Sequence, residues 1–274
     1  MKSFSFIHKY FLFWAFLLSI SFSSCKKEEE PPVNPTENLV FVTSGYAVGC
    51  AALVKLWAKD TLFAGYNFLY VQLLDSTTGE KLESGHIYLA PEMNMGAFSH
   101  AAPFENPAEE EAVSGLFPCA AVFQMPADSG WTLGLTVHNH FNDKDGEAVL
   151  AVAVKSPDYA RARVVTTLND SSKIIVSYVQ PEKPVVGIND FEITIHRMAS
   201  MASYPADGSY TVEIEPEMSS MGHGSPDNVN PVHDTKGHYK GKVNFTMTGE
   251  WRIHLLIKDG AEVADSTSYF DFVL

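Results

Sequence analysis

The chain has 274 residues, of which 46% are hydrophobic and 19% are charged, a composition typical of globular domains and long enough for two of them. Its formal net charge is −14, which excludes nucleic acid as a partner bound by charge. The sequence contains no nucleophile elbow, phosphate-binding loop, paired-carboxylate signature or zinc-protease motif, and we therefore predict that the protein is not an enzyme.

The first 24 residues have the pattern of a lipoprotein signal peptide. Lys2 and Lys9 flank the start, residues 10–22 are almost wholly apolar, and small residues directly precede Cys25. The apolar run is too short to span a membrane. This ending resembles the lipobox of bacterial lipoproteins, although Phe22 stands where leucine is usual, and the resemblance implies that Cys25 becomes the lipidated first residue. The alternative is an ordinary signal peptide with an incidental cysteine.

Residues 25–38 follow as a tether that is polar and rich in proline, with Lys-Lys-Glu-Glu-Glu-Pro-Pro directly after the cysteine. Such a segment has too few apolar side chains to form a core. Its acidic run resembles the surface-export signal of Bacteroidota lipoproteins, and a plain solvated spacer is the other interpretation. We expect an outer-membrane lipoprotein that is held in the lipid bilayer by its acyl anchor. The anchored chain would face either the periplasm or the outside of the cell.

From about Leu39 onward, short alternating strands are separated by Gly, Pro, Asn and Asp turns, and no long helical periodicity occurs. This spacing predicts an all-β protein built from antiparallel sandwiches of immunoglobulin-like type. The clearest strands are 53–57, 67–74, 86–90, 120–123, 131–139 and 148–155 in the first half, and 173–178, 190–197, 210–215, 242–246, 251–258 and 266–273 in the second.

The two halves share three motifs in one order. A Pro-Glu-Met, a Phe-x-Met and a Gly-Trp or Gly-x-Trp motif occur at 91–93, 123–125 and 130–131, and again at 216–218, 245–247 and 249–251. Such a series predicts an internal duplication. We expect two tandem domains, a first sandwich over 39–157 that is the degenerate repeat, and a second over 158–274.

Two cysteines lie in the first half of the chain, Cys50 and Cys119. If Cys25 is consumed by lipid, these two could form a disulfide in an oxidising compartment. Two buried free thiols are the other interpretation. A disulfide would require the two Cα atoms to lie within about 7 Å of each other.

The clearest chemical signal is a group of soft ligands in the second half. Met218, Met221 and His223 lie on a Gly-rich turn after a strand, and His233 and His238 follow in the next loop. Thioether sulfur is a polarisable donor that favours Cu(I), and imidazole binds either oxidation state of copper. The sequence therefore predicts a copper site, with Cu(I) preferred, that consists of two sulfurs and one or two imidazoles.

Two alternatives to this copper site remain open. His223 and His233 with Asp227 or Asp234 could form a Cu(II) or zinc site, although zinc prefers cysteine and none lies nearby. Methionine also fills gaps in the cores of β-sandwiches, so Met218 could serve packing alone.

The first half echoes the two methionines at Met93 and Met95. The alignment of the halves places Ala97 where His223 would lie, with His100 as the residue that could substitute for it. Either the first half has lost its site, or the shared methionines serve packing in both halves.

Another histidine-rich stretch occupies residues 137–146, where His138 and His140 precede Asp143 and Asp145. Two aspartates at this spacing resemble part of a calcium loop, but the rest of the ligand series and the final glutamate are missing. We interpret the stretch as a hairpin turn.

The second half also resembles a known family. Pro-x-Met-x-x-Met-x-His at 216–223, Gly-x-Tyr-x-Gly at 237–241 and Gly-x-Trp at 249–251 are similar to the YtkA-like domain. The resemblance covers about 173–274 and extends only faintly to the first half. It implies a small secreted β-sandwich, and relatives of this family occur near copper-handling and cytochrome oxidase assembly systems.

These observations together predict a lipid-anchored extracytoplasmic protein that binds or hands on copper through the Met/His loop of its second domain. Its partner would be a copper-handling or envelope protein. The competing interpretation is a structural or adhesion module, or an accessory subunit of an envelope complex, that binds protein or glycan without a metal. The two differ in whether the Met and His side chains converge in the folded chain.

Overall fold

The computed structural model describes residues 34–274, which form twenty β-strands and no helix. The expected signal peptide, the lipidated Cys25 and the tether up to residue 33 lie outside the described residues. Within the described range, no helix has the length and apolar character that are needed to cross a membrane.

The first half forms two antiparallel sheets. One has the strand order β1-β2-β3-β8-β7, with β4 paired to β3, and the other has the order β10-β9-β5-β6. Their strands are β1 (Val40–Ala47), β2 (Ala52–Ala58), β3 (Gly65–Asp75), β4 (Lys81–Leu82), β5 (Gly85–Asn94), β6 (Ser99–Ala101), β7 (Phe104–Glu105), β8 (Phe117–Phe123), β9 (Ala127–Asn139) and β10 (Lys144–Val154).

The second half forms two further antiparallel sheets. One has the order β11-β12-β13-β17-β16, and the other has the order β15-β14-β18-β19, with β20 also paired to β18. Their strands are β11 (Ala162–Thr166), β12 (Lys173–Gln180), β13 (Gly187–Arg197), β14 (Thr211–Met218), β15 (His223–Gly224), β16 (Val229–His233), β17 (His238–Phe245), β18 (Glu250–Asp259), β19 (Glu262–Asp265) and β20 (Tyr269–Val273).

Alternation along the strands decides which face of each sheet becomes core. Successive side chains of a strand point to opposite faces, so every second apolar residue of β9 and β18 can be buried. The fully buried ones are Trp131, Leu133, Leu135 and Val137 in β9, and Trp251, Ile253, Leu255 and Ile257 in β18. One core lies between the first two sheets and another lies between the last two. The predicted all-β fold with two antiparallel sandwiches is therefore confirmed.

Aligned residues of the two halves make the same contacts. Asn67 accepts a hydrogen bond from the backbone N–H of Phe63 at 3.0 Å and donates to the Phe63 carbonyl at 2.8 Å. Asn189 forms the same pair of bonds with Val185, at 2.9 and 2.8 Å. Asn67 lies near the start of β3 and Asn189 near the start of β13. In each sandwich the side-chain amide therefore forms hydrogen bonds with the backbone N–H and C=O of the loop that leads into its own strand.

A small apolar cluster joins the two sandwiches. Tyr66, Ala120 and Val122 lie on the outward face of β3 and β8, and they pack against Ile175 and Val179 of β12. The chain from Pro35 to its end forms one compact unit. The junction therefore has a buried apolar centre.

The candidate disulfide between Cys50 and Cys119 is wrong, because both cysteines are buried and free. Cys50 lies two residues before Ala52, the first residue of β2, which pairs with Asp75 of β3. Cys119 pairs instead with Leu69 of β3. Asp75 and Leu69 are about 20 Å apart along β3 at the usual rise of a strand, and a disulfide allows the Cα atoms a separation of only about 7 Å.

We expect both thiols to be unreactive in the folded protein. Burial raises the pKa of the Cys50 thiol and of the Cys119 thiol, so little reactive thiolate is present at neutral pH. Titration of residues 26–274 with a disulfide reagent should detect almost no thiol in buffer and both thiols in guanidinium chloride. Rapid reaction of either cysteine in the native chain would contradict this placement.

Candidate metal centre

The predicted Met/His turn is a tight hairpin between β14 and β15. β14 continues past Pro216, where the sequence placed the start of the turn, and ends at Met218. The backbone N–H groups of Met221 and Gly222 both donate to the Met218 carbonyl, at 3.0 and 2.9 Å. Gly222 has a φ of 63°, which glycine adopts without strain. The turn therefore places His223 directly across the ladder from Met218.

The three side chains of this hairpin differ in their access to solvent. Met218 is only 2% exposed and shares the core with Trp251. His223 lies edge-on to the Trp251 ring, with 5.8 Å between the ring centroids. Met221 is 61% exposed on the turn itself. One thioether thus lies beneath the hairpin and the other lies at its surface, with the imidazole between solvent and the indole ring.

The ring of His223 has a defined hydrogen-bond partner. Its Nδ1 lies 2.9 Å from the carbonyl oxygen of Gly224. A carbonyl oxygen can only accept, so Nδ1 carries the proton in the neutral ring. The Nε2 atom then carries the lone pair that a metal ion requires.

The first sandwich contains the same arrangement. Met93 pairs with His100 across β5 and β6, and the His100 ring lies edge-on to Trp131 at 5.5 Å. The Nδ1 of His100 lies 2.8 Å from the carbonyl oxygen of the next residue. His100, and not Ala97, is therefore the counterpart of His223.

A difference in loop length hid this match in the sequence. Residues 94–99 separate Met93 from His100, whereas residues 219–222 separate Met218 from His223. The useful signal is the shared order of Met, His and Trp along each half, because hairpin loops tolerate insertions better than strands do.

His238 does not lie at the hairpin. Its Nδ1 is 2.7 Å from Glu192 Oε1 and its Nε2 is 2.7 Å from Glu105 Oε1. Burial lowers its pKa, but the hydrogen bonds to the two carboxylates outweigh burial and raise the pKa to about 9. A ring that donates from both nitrogens has no lone pair left for a metal. The structure therefore removes His238 from the predicted ligand set.

His233 lies at the other end of the second sandwich. Its ring packs on Tyr239 at 5.4 Å between centroids and against Gly208, which precedes β14. Met218 lies at the far end of β14, about 23 Å along that strand from its first residue. Asp234, the candidate partner of His233 in a zinc or Cu(II) site, is 2.6 Å from the ammonium group of Lys240. The structure thus places Met218, Met221 and His223 on one hairpin, with Met218 paired to His223, and separates the remaining two candidates from them.

Several solved structures resemble the chain at low identity. The Escherichia coli adhesin FdeC is 12% identical with a TM-score of 0.26, and the match covers 84% of this chain and 65% of that chain. Domains 4–9 of the surface layer protein SbsC are 12% identical with a TM-score of 0.28, covering 86% and 31%. The titin Ig tandem A164-A165 is 11% identical with a TM-score of 0.20, covering 82% and 95%. The chain thus spans less than two thirds of the adhesin and surface layer chains that it matches.

No curated protein matches the sequence. A family model described as YtkA-like matches residues 168–255. This region contains the β14–β15 hairpin, the Gly-x-Tyr-x-Gly motif and Trp251. The resemblance predicted for the second half is therefore confirmed, and the second sandwich carries a YtkA-like region.

Proposed function

We propose that the protein is a lipid-anchored extracytoplasmic β-sandwich protein that binds Cu(I) at the β14–β15 hairpin and hands it on. The observation that supports this is the pairing of Met218 with His223 beside the Trp251 ring. The pairing of Met93 with His100 repeats it beside the tryptophan of the first sandwich.

The ligand set of the hairpin fits a soft monovalent ion. Met218 and His223 would supply one thioether sulfur and one imidazole nitrogen, and both favour copper over hard cations. Met221 is exposed on the turn and would add a second sulfur. These groups carry no charge, and removal of water costs less for a monovalent ion than for a divalent one.

The cellular location of the protein is part of the same proposal. The signal-peptide pattern, the small residues before Cys25 and the acidic tether support an outer-membrane lipoprotein of a Bacteroidota-type export route. The acyl anchor would bind the bilayer, and the sandwiches would face the periplasm or the cell surface. The recipient of the copper would be a copper-handling or envelope protein that can reach the exposed Met221.

Cu(I) binding by residues 26–274 should be tight enough to compete with a chromophoric Cu(I) chelator. The double variant Met221→Ala/His223→Ala removes two of the three ligands of the hairpin. We expect it to lose at least ~100-fold in affinity at that site, since even partners outside the ligand set are worth 10–100-fold at metal sites. Competition titrations under reducing, anaerobic conditions would measure both proteins.

A matched control is the variant Met201→Ala/His254→Ala, which removes an exposed thioether and a half-buried imidazole outside the hairpin. Its affinity should equal that of the wild type. Failure of the wild type to compete for Cu(I) would favour the adhesion or scaffold interpretation, in which Met218 and Met93 serve only the core.

A further inference from the structure

Three side chains that ligate metals converge on the first sandwich, away from the Met/His hairpins. In the part of the chain that the structure describes, one group of three His, Cys, Asp or Glu side chains lies close together. This group contains His86, Glu110 and His140, whose ligand atoms all lie within 4.8 Å of one another. His86 is the second residue of β5, and His140 follows β9, which pairs with β5 through His86 and His138. Met93 lies about 23 Å farther along β5. The cluster is therefore separate from the hairpin of the same sandwich.

The distances in this cluster suit a shared ion better than direct hydrogen bonds. His86 Nδ1 lies 3.6 Å from Glu110 Oε1, which is too long for a hydrogen bond. Two ligands of a tetrahedral zinc ion, each at the usual bond length, lie about 3.4 Å apart. The rings of His86 and His140 are 4.8 Å apart at their centroids and nearly perpendicular, at 80°. Their nitrogens can thus approach one point from two directions.

Backbone hydrogen bonds hold the loop that carries the carboxylate. The Gly85 N–H donates to the Glu110 carbonyl at 2.9 Å, and the Ala112 N–H donates to the Glu83 carbonyl at 2.8 Å. These bonds join the loop to the start of β5. Glu110 is therefore held beside His86 by the fold and not by side-chain attraction alone.

A hydrogen-bonded chain orients the ring of His140. Ser84 Oγ donates its single hydrogen to Glu111 Oε1 at 2.8 Å, because a carboxylate can only accept. The same oxygen must then accept from His140 Nδ1, which lies 2.7 Å away. The neutral His140 ring consequently has its lone pair on Nε2. Metal-bound histidine usually donates its other ring N–H to a hydrogen-bond acceptor, and Ser84 Oγ fills that role for His140.

We propose that His86, Glu110 and His140 bind a divalent transition metal ion, with Zn²⁺ as the ion that fits best. Two imidazole nitrogens and one carboxylate oxygen form a three-ligand zinc set that leaves a fourth position for water. The absence of sulfur from this set disfavours Cu(I), and its two imidazoles disfavour Ca²⁺. His138 lies beside the set, outside the group of three ligands, and its Nδ1 is 2.9 Å from Asp145 Oδ1. The Asp145 carboxylate adds negative charge near the set.

Zinc titration of residues 26–274, first stripped of metal with a chelator, tests this proposal. The wild type should bind one Zn²⁺ at this site, and Co²⁺ in its place should show the absorption spectrum of a tetrahedral ion. His86→Ala and His140→Ala should each lower the affinity by at least ~100-fold, and Ser84→Ala should lower it by about 10-fold. Zn²⁺ should raise the melting temperature of the wild type but not of the double variant His86→Ala/His140→Ala.

Two controls separate this site from nonspecific binding. His254 Nε2 lies 2.8 Å from Glu217 Oε2 on the second sandwich, and no third His, Cys, Asp or Glu of residues 34–274 joins the pair in such a group. The variant His254→Ala/Glu217→Gln should therefore bind Zn²⁺ like the wild type, and His138→Ala should stay within a few-fold of it. Zn²⁺ binding that is absent from the wild type, or unchanged in His86→Ala/His140→Ala, would overturn the proposal.

The zinc proposal does not depend on the proposed copper function. The variant Met221→Ala/His223→Ala, which should lose the Cu(I) site, should keep its full affinity for Zn²⁺. Conversely, His86→Ala/His140→Ala should keep the Cu(I) site of the second sandwich. Loss of both metals in either double variant would mean that the two proposals do not describe independent sites.

Discussion

Replacement of His238 with alanine should lower the free energy of unfolding by about 3–5 kcal/mol, the cost of leaving buried charges without their partner. His238 begins β17 of the second sandwich and donates one hydrogen bond to Glu192 of the same sandwich and one to Glu105 of the first. Without the imidazole, two carboxylates would face each other across the junction. We therefore expect the junction of the two sandwiches to loosen as well.

Other polar groups reinforce this contact. The Tyr66 hydroxyl donates to Glu105 Oε1 at 2.8 Å, and the Lys236 ammonium lies 3.9 Å from Glu105 Oε2. Lys240 lies 4.0 Å from Glu192. Burial would raise the pKa of Glu105, but the hydrogen bonds from His238 and Tyr66 outweigh it and lower that pKa. The carboxylate is therefore charged at neutral pH and holds the imidazolium in place.

The same contact makes stability depend on pH in the alkaline range. The pKa of His238 rises from the ordinary 6.5 to about 9 in the folded chain. The resulting stabilisation, about 3 kcal/mol, is fully present below pH 6.5 and is lost as the pH rises through 9. His196, whose pKa burial lowers to about 4, acts in the opposite direction and only below pH 6.5. The buried thiols of Cys50 and Cys119, whose pKa burial raises, also lower the stability above about pH 8.5. The His238 contribution is therefore the part of the alkaline change that a His238 variant removes.

Urea unfolding of residues 26–274 at pH 6.5 and pH 9.5 measures this effect. Between the two conditions the wild type should lose about 3 kcal/mol more than His238→Gln does, because both proteins keep the buried thiols. The double variant Glu105→Gln/His238→Gln removes one of the two facing charges and should recover part of the stability that the single variant loses at pH 6.5. Equal pH dependence in wild type and His238→Gln would refute this account of the junction.

Trp251→Ala should cost about 3–5 kcal/mol of stability, as truncation of a large aromatic side chain in a core usually does. The Trp251 ring is fully buried and packs on Phe245 at 5.5 Å between centroids. Its Nε1 donates to the carbonyl of Met247 at 3.0 Å. The substitution would leave a cavity beneath the hairpin and remove the surface on which His223 rests.

Trp251→Phe is the matched variant, since it keeps most of the apolar volume and loses the hydrogen bond, worth about 1 kcal/mol. Trp131→Ala makes the same test in the first sandwich, where Nε1 donates to the Met125 carbonyl at 3.0 Å. Urea unfolding followed by circular dichroism would compare the three. A loss below about 1 kcal/mol in Trp251→Ala would mean that the hairpin end of the core is not closely packed.

Alternation and turn chemistry let the sequence by itself determine the strands and their buried faces. The burial of Trp251 and Ile253 follows from a two-residue period that can be read directly from β18. The presence of Met218, Met221 and His223 on one hairpin was also predictable, because a hairpin keeps residues a few positions apart close in space. The edge strands of the sheets were harder to predict. Strands of two residues, such as β4, β7 and β15, were missed because two residues are too few to show an alternation of apolar and polar side chains.

Only the tertiary structure decided the contacts between residues that are distant in the chain. Glu105 and His238 are 133 positions apart and meet because the outer face of one sandwich packs on the other. His86 and His140 meet because β5 pairs with β9 in one register. The same strand order separates Cys50 from Cys119. Local patterns determine which face of a strand is buried, whereas strand order and the packing of sheets determine which distant residues share a site.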